Sequence, residues 1–220
     1  MKVGGVEYRK KRMSDRKRQH WNTIFSTKDD SELGWYESDP SQTLKFLDLV
    51  SPASGATLFL PGAGTSTLVD ELLIRGFELV LNDISDEALD RLRARIGSSG
   101  RLFWLHHDIS RPLPEGVPPV DIWIDRAVLH FLLEEEDIRG YFSNLRSLVR
   151  PGGHVLLAEF STNGASSCAG LELHRYSVEE LTERMGEEFK LVEQEEYTYI
   201  NPFGDTRPYV YALYRRQDRP

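Results

Sequence analysis

From Ser41 onward, short apolar runs alternate with amphipathic segments, and the spacing of apolar positions switches between the strand and helix periods. The runs predict strands at Ala56–Leu60, Phe77–Asn82, Arg101–His106, Val120–Asp125, Gly153–Phe160, Phe189–Tyr199 and Arg207–Arg215. The amphipathic segments predict helices at Ser41–Val50, Thr65–Arg75, Asp86–Ile96, Asp137–Val149 and Val178–Gly186. Ser177 and Glu180 have capping-box spacing and mark the start of the last helix. Strands separated by helices imply right-handed crossovers and a parallel sheet. The last two strands differ. Only Ile200–Thr206, a turn with Asn201, Pro202 and Gly204, separates them, so they should pair antiparallel.

The first part of the chain lacks this rhythm. Arg9–Arg18 is strongly basic, and a polar, aromatic stretch from His20 to Tyr36 follows. Residues 1–19 are expected to be a mobile basic tail, with residues 20–220 as a single domain. Met13 lies within the basic run, and residues 1–12 need not serve the fold.

The formal net charge of -8 makes nucleic acid a poor partner despite the basic run. No apolar stretch approaches the roughly 20 residues that span a bilayer. The one cysteine, Cys168, excludes an internal disulfide and a multi-thiolate metal site. A reducing cytoplasm is the expected setting, with no bound metal.

Candidate chemistry gathers at the predicted strand ends. The first strand runs into LFLPGAGTSTLVDELL, with Gly62, Ala63 and Gly64 at the turn into a helix. Glycine there permits a tight turn and a close backbone approach to a ligand, and the helix start offers free N–H donors. The second strand ends at Asp83, followed by Ile84. A carboxylate at that place can accept the two hydroxyls of a ribose. Asp108 and Ile109 follow the third strand, suited to an adenine amino group and ring face. In open α/β sheets such ligands sit beyond the C-terminal strand ends. The third glycine of the dinucleotide fingerprint is replaced by Thr67, and no phosphate-loop motif is present.

These segments, with HHDI, DIWIDRAVLHFL and LVRPGGHVLLAEF, resemble the class I methyltransferases that use S-adenosylmethionine (SAM). The resemblance implies a Rossmann-like α/β three-layer sandwich: a mostly parallel seven-stranded sheet with a C-terminal antiparallel hairpin. It implies SAM as cofactor and S-adenosylhomocysteine as product. Gly62 and Gly64 would pack on the methionine part, Asp83 would hold the ribose and Asp108 the adenine. Trp21 and Asp125 are further candidates around the cofactor. One departure stands out: many members carry an acid just before the glycines, where this chain has Leu60 and Pro61. The methionine ammonium must then be held from elsewhere, by backbone or by the N-terminal segment.

On the acceptor side, the fourth strand ends in Asp125, Arg126 and Ala127, and His130 follows; Asp125, Arg126 and His130 are the candidate catalytic residues, Asp125 or His130 serving as base where one is required. Trp35, Tyr36, Glu159, His174, Arg175 and Tyr176 are candidates for the acceptor pocket. Cys168 reads as a packing or loop residue. IWIDRA with a proline before the turn is similar to thiopurine and thiol methyltransferases, whereas HWNTIF and WYE are similar to small protein-lysine methyltransferases. A small-molecule acceptor, a thiol among the options, is the first expectation and a protein lysine the second. A non-catalytic SAM-binding or scaffold protein is the third, because fold does not fix function.

Overall fold

The computed structural model describes residues 3–218, with side chains from Arg12 onward. Helix α1 (Val3–Thr27) and a short 3-10 turn (Asp30–Glu32) precede α2 (Ser41–Val50). The alternating part follows: β1 (Thr57–Leu60), α3 (Leu68–Ile74), β2 (Glu78–Asp83), α4 (Asp86–Ile96), β3 (Leu102–His106) and β4 (Val120–Arg126). Then come a second 3-10 turn (Leu129–Phe131), α5 (Glu135–Leu148) and β5 (Val149–Phe160). A small hairpin of β6 (Ser167–Cys168) and β7 (Leu171–Glu172) leads to α6 (Val178–Met185), β8 (Phe189–Ile200) and β9 (Thr206–Arg216).

Seven strands form one sheet in the order β3-β2-β1-β4-β5-β9-β8. The pairs among β3, β2, β1, β4 and β5 are parallel, and β9 runs antiparallel to both β5 and β8. The sequence reading of the fold is met, down to the closing hairpin. Alternation along the strands divides the core into two layers. Leu58 and Leu60 face the cluster containing Phe46, Leu68 and Leu92, from α2, α3 and α4. Phe59, between them, stacks on Trp123 with ring centroids 4.2 Å apart and faces α5 and α6 on the other side. Ser177 caps α6, its side chain accepting from the Glu180 N–H.

The expected boundary at residues 19 and 20 does not appear: α1 runs straight across it. Residues 12–18 are not a free tail either. Ser14 donates to Asp108, and Lys17 bonds Asp137 at 2.7 Å. Further along, Asn22 bonds Asp86 and Ser85, fixing α1 on the start of α4. The basic charge hid a stripe of one helical face, Met13, Lys17, Trp21 and Phe25, at four-residue spacing. Among the described residues, no helix is long and apolar enough to cross a membrane.

Candidate active site

A cavity of about 460 Å³ opens above the C-terminal ends of β1, β2, β3 and β4. Its size suits a ligand of nucleoside dimensions. The parallel register sets its floor: Leu60 pairs with Leu81, and Asp83 with His106, so the loops that follow emerge side by side.

The turn after β1 puts Gly62 and Gly64 at φ of 53° and 51°. Side chains other than glycine are strained there. The sequence reading had them packing on a cofactor, and both do line the cavity. A Cβ at Gly62 would stand 2.3 Å from Val128 Cγ2, and one at Gly64 would stand 3.4 Å from the Phe25 ring. The glycines therefore let the β4 loop and α1 close over the turn. Ala63 donates its N–H to Asn82 and also lines the cavity.

Asp83 accepts from Gly64 N at 2.9 Å and from Ser85 N at 2.8 Å, which ties the glycine turn to the end of β2. Burial pushes its carboxyl up to about 6, against the pull of those backbone bonds. Asp108 behaves differently. Burial alone would raise it, but bonds from Ser110 and Ser14 and the charge of Lys17 outweigh that and hold it low. Ile84 and Ile109 line the same end of the cavity.

α1 and the segment after it form the roof. Trp21 meets Trp35 and Phe131 edge to face, with ring centroids at 5.5 and 4.9 Å. Tyr36 joins that wall. Arg126, the last residue of β4, donates to Trp35 O at 2.9 Å, and its Nε lies 3.1 Å from Glu37 Oε2. Its guanidinium stacks on Tyr199 and Tyr209. Burial disfavours its charge, but Tyr211 and Glu37 more than restore it, so Arg126 stays protonated.

Other expected residues lie below the floor. Asp125, His130 and Glu159 are fully buried, and none lines the cavity. Asp125 accepts from the N–H groups of Val128 and Leu129 and from Tyr141 Oη at 2.6 Å, pinning the loop after β4. Burial and the neighbouring Glu159 push its carboxyl well up. His130 Nδ1 lies 2.6 Å from Glu159 Oε2. Burial lowers the imidazole to about 3 and raises the carboxyl of Glu159. Neither Asp125 nor His130 is placed to take a proton from a ligand in the cavity.

His174 bonds Glu180, Arg175 bonds the carbonyls of Thr162 and Gly164, and Tyr176 is sealed. None of the three reaches the cavity; Gly170, Leu171 and Glu172 of the preceding hairpin do. The chain folds back at that hairpin, so the residues nearest the pocket come earlier than a simple overhanging loop would place them. Cys168 is half-buried, burial raises its thiol, and it lines a second depression of about 810 Å³ beyond Trp35. Among the described residues, no group of His, Cys, Asp or Glu could hold a metal ion.

The fold and the cavity at its strand ends resemble those of class I SAM-dependent methyltransferases. Residues 61–155 match the family model of the methyltransferase domain. That match covers 95 of the chain's 220 residues. The chain is similar to the demethylmenaquinone methyltransferase of Clavibacter sepedonicus, 30% identical over 115 residues, covering 51% of this chain and 44% of that protein. The chain thus spans under half the length of this curated relative. Two solved structures share the fold. One, a SAM-dependent methyltransferase from Anabaena variabilis, has TM-score 0.72 and 17% identity, covering 93% of this chain and 95% of that one. The other is the 1,6-didemethyltoxoflavin-N1-methyltransferase of Burkholderia thailandensis with bound 1,6-didemethyltoxoflavin and S-adenosylhomocysteine. It has TM-score 0.66 and 18% identity, covering 97% of this chain and 90% of that one.

Proposed function

We propose that the protein transfers a methyl group from SAM to a small, planar or apolar acceptor. One observation carries this reading. Asp83, Asp108 and the glycine turn, singled out separately in the sequence, line one cavity at neighbouring strand ends. The residues fit the cofactor. Asp83 retains acceptor capacity for the ribose hydroxyls beyond its two backbone bonds. Asp108 would take the adenine amino group in place of, or beside, the Ser14 hydroxyl.

When bound, SAM supplies a methyl group already activated on sulfonium. The chain's own contribution is therefore placement and exclusion of water. Trp21, Trp35 and Phe131 form an aromatic wall, suited to a flat acceptor and to a cationic centre beside their rings. Arg126 holds the Trp35 backbone and so fixes that wall. With Asp125 and His130 sealed, the reading favours an acceptor that reacts through a lone pair already available at neutral pH, a neutral amine or a thiolate. The demethylmenaquinone and didemethyltoxoflavin enzymes, named for small molecules, support the acceptor class.

The test is a methylation assay of cell extract with radiolabelled SAM, separated into small-molecule and protein fractions. Label in the small-molecule fraction is the expected result. Label confined to protein would favour a lysine acceptor. SAM binding by calorimetry with no label in either fraction would favour a non-catalytic binder.

A further inference from the structure

The chain has no acid before its glycine turn, yet the methionine end of SAM carries an ammonium as well as a carboxylate. An ammonium leaving water for a protein wall needs acceptors in place of water, and a carboxylate is the strongest of them. With ribose and adenine at the ends of β2 and β3, that end falls at β1 and β4. The register locates the spot. Phe59 of β1 pairs with Trp123 of β4, and continuing it two residues past Leu60 sets Gly62 level with Arg126.

One carboxylate stands at that level. Glu37 lies 3.1 Å from Arg126, and its own carbonyl accepts from Thr67 Oγ1 at 2.7 Å, at the head of α3. Glu37 thus links the head of α3, through its backbone, to the end of β4, through its side chain. Its side chain lines the cavity. Oε2 faces Arg126, while no described residue donates a hydrogen bond to Oε1. The other acids along the cavity are placed elsewhere. Asp83 and Asp108 belong to the nucleoside end, Asp137 is paired with Lys17 and Arg111, and Glu134 precedes α5. Glu172 is exposed on the hairpin.

We infer that Glu37, held in place by Arg126, is the carboxylate that receives the α-ammonium of SAM and of S-adenosylhomocysteine. This rests on the methyltransferase reading above. The N-terminal segment supplies the acid that Leu60 and Pro61 do not. Burial raises the carboxyl of Glu37 against the charge of Arg126, which is the condition of an acid with room for another cation.

A thermodynamic cycle tests it by calorimetry, without an acceptor. S-adenosylhomocysteine and its analogue lacking the α-amino group are titrated into the wild-type protein and into Glu37→Gln. Glu37→Gln should weaken S-adenosylhomocysteine binding roughly ten- to a hundredfold, the range for a hydrogen bond to a charged group. The analogue should bind both proteins alike. Equal losses for the two ligands would mean that Glu37 only supports Arg126, and would overturn the assignment. So would a wild-type protein that binds both ligands equally well, a result that needs no variant to fold. If the wild type binds neither ligand, the methyltransferase reading itself falls.

Discussion

Asp83 carries two opposed demands. The fold buries its carboxyl and favours the neutral form, whereas ribose hydroxyls are best accepted by the ionised form. Its folded value of about 6 lies above the ordinary 3.8. Its contribution to stability is therefore complete below about 3.8 and is lost as pH rises through about 6. Over that window the unfolding free energy of the wild type should fall by up to about 3 kcal/mol relative to Asp83→Asn. Urea titrations at several pH values measure this, and parallel slopes would refute it. Cofactor affinity should run the opposite way and rise with pH through the same range. Asp83→Ala should weaken SAM binding by about 1–3 kcal/mol in calorimetry. At this scale the sequence was legible for the placement of Gly62, Gly64, Asp83 and Asp108, which line one cavity because each stands at a strand end. It was not legible for Asp125, His130 and Glu159. Asp125 and Glu159 lie in β4 and β5 and His130 in the turn after β4, but all three are buried, and Asp125 is held there by the Val128 and Leu129 N–H groups and Tyr141, contacts that no local pattern announces.

The elements were mostly readable because hydrophobic period and crossover length agree. α1 was the exception. Its charge run masked the stripe from Met13 to Phe25, and only tertiary contacts show that this stripe roofs the cavity. The loop after β3 is another case. Pro112 to Pro119 signals a loop, yet nothing in the sequence says what holds it. Asn144 of α5 reaches back to the carbonyls of Ile109 and Arg111, and Gly140 packs on the Ser110 backbone. A Cβ at Gly140 would lie 2.0 Å from the Ser110 carbonyl oxygen. Gly140→Ala should therefore cost about 1–3 kcal/mol of stability, the scale of overpacking, although alanine is the better helix former. The denaturation midpoint reads this directly, and an unchanged or higher midpoint would contradict it. Because the same loop carries Asp108, SAM affinity should drop in that variant as well.

For the whole molecule, the sheet order follows from parallel crossovers and the closing hairpin, and the three layers follow from strands buried on both faces. The expected tail and domain were two descriptions of one body. Residues 13–37 complete the pocket that the later strands begin, through Lys17, Trp21, Phe25 and Glu37. No strand rhythm announces such a contribution, since its residues are selected by a surface formed far away in the chain.

The aromatic wall also makes the protein its own optical probe. Of its four indoles, Trp21 and Trp35 border the cavity, while Trp123 is sealed against Phe59 with its N–H bonded to Tyr141. Titrating S-adenosylhomocysteine should therefore change the emission of the first two over an unchanging background from the third. Trp21→Phe should remove a large part of that change, and a signal of undiminished size would mean that the ligand settles away from the roof.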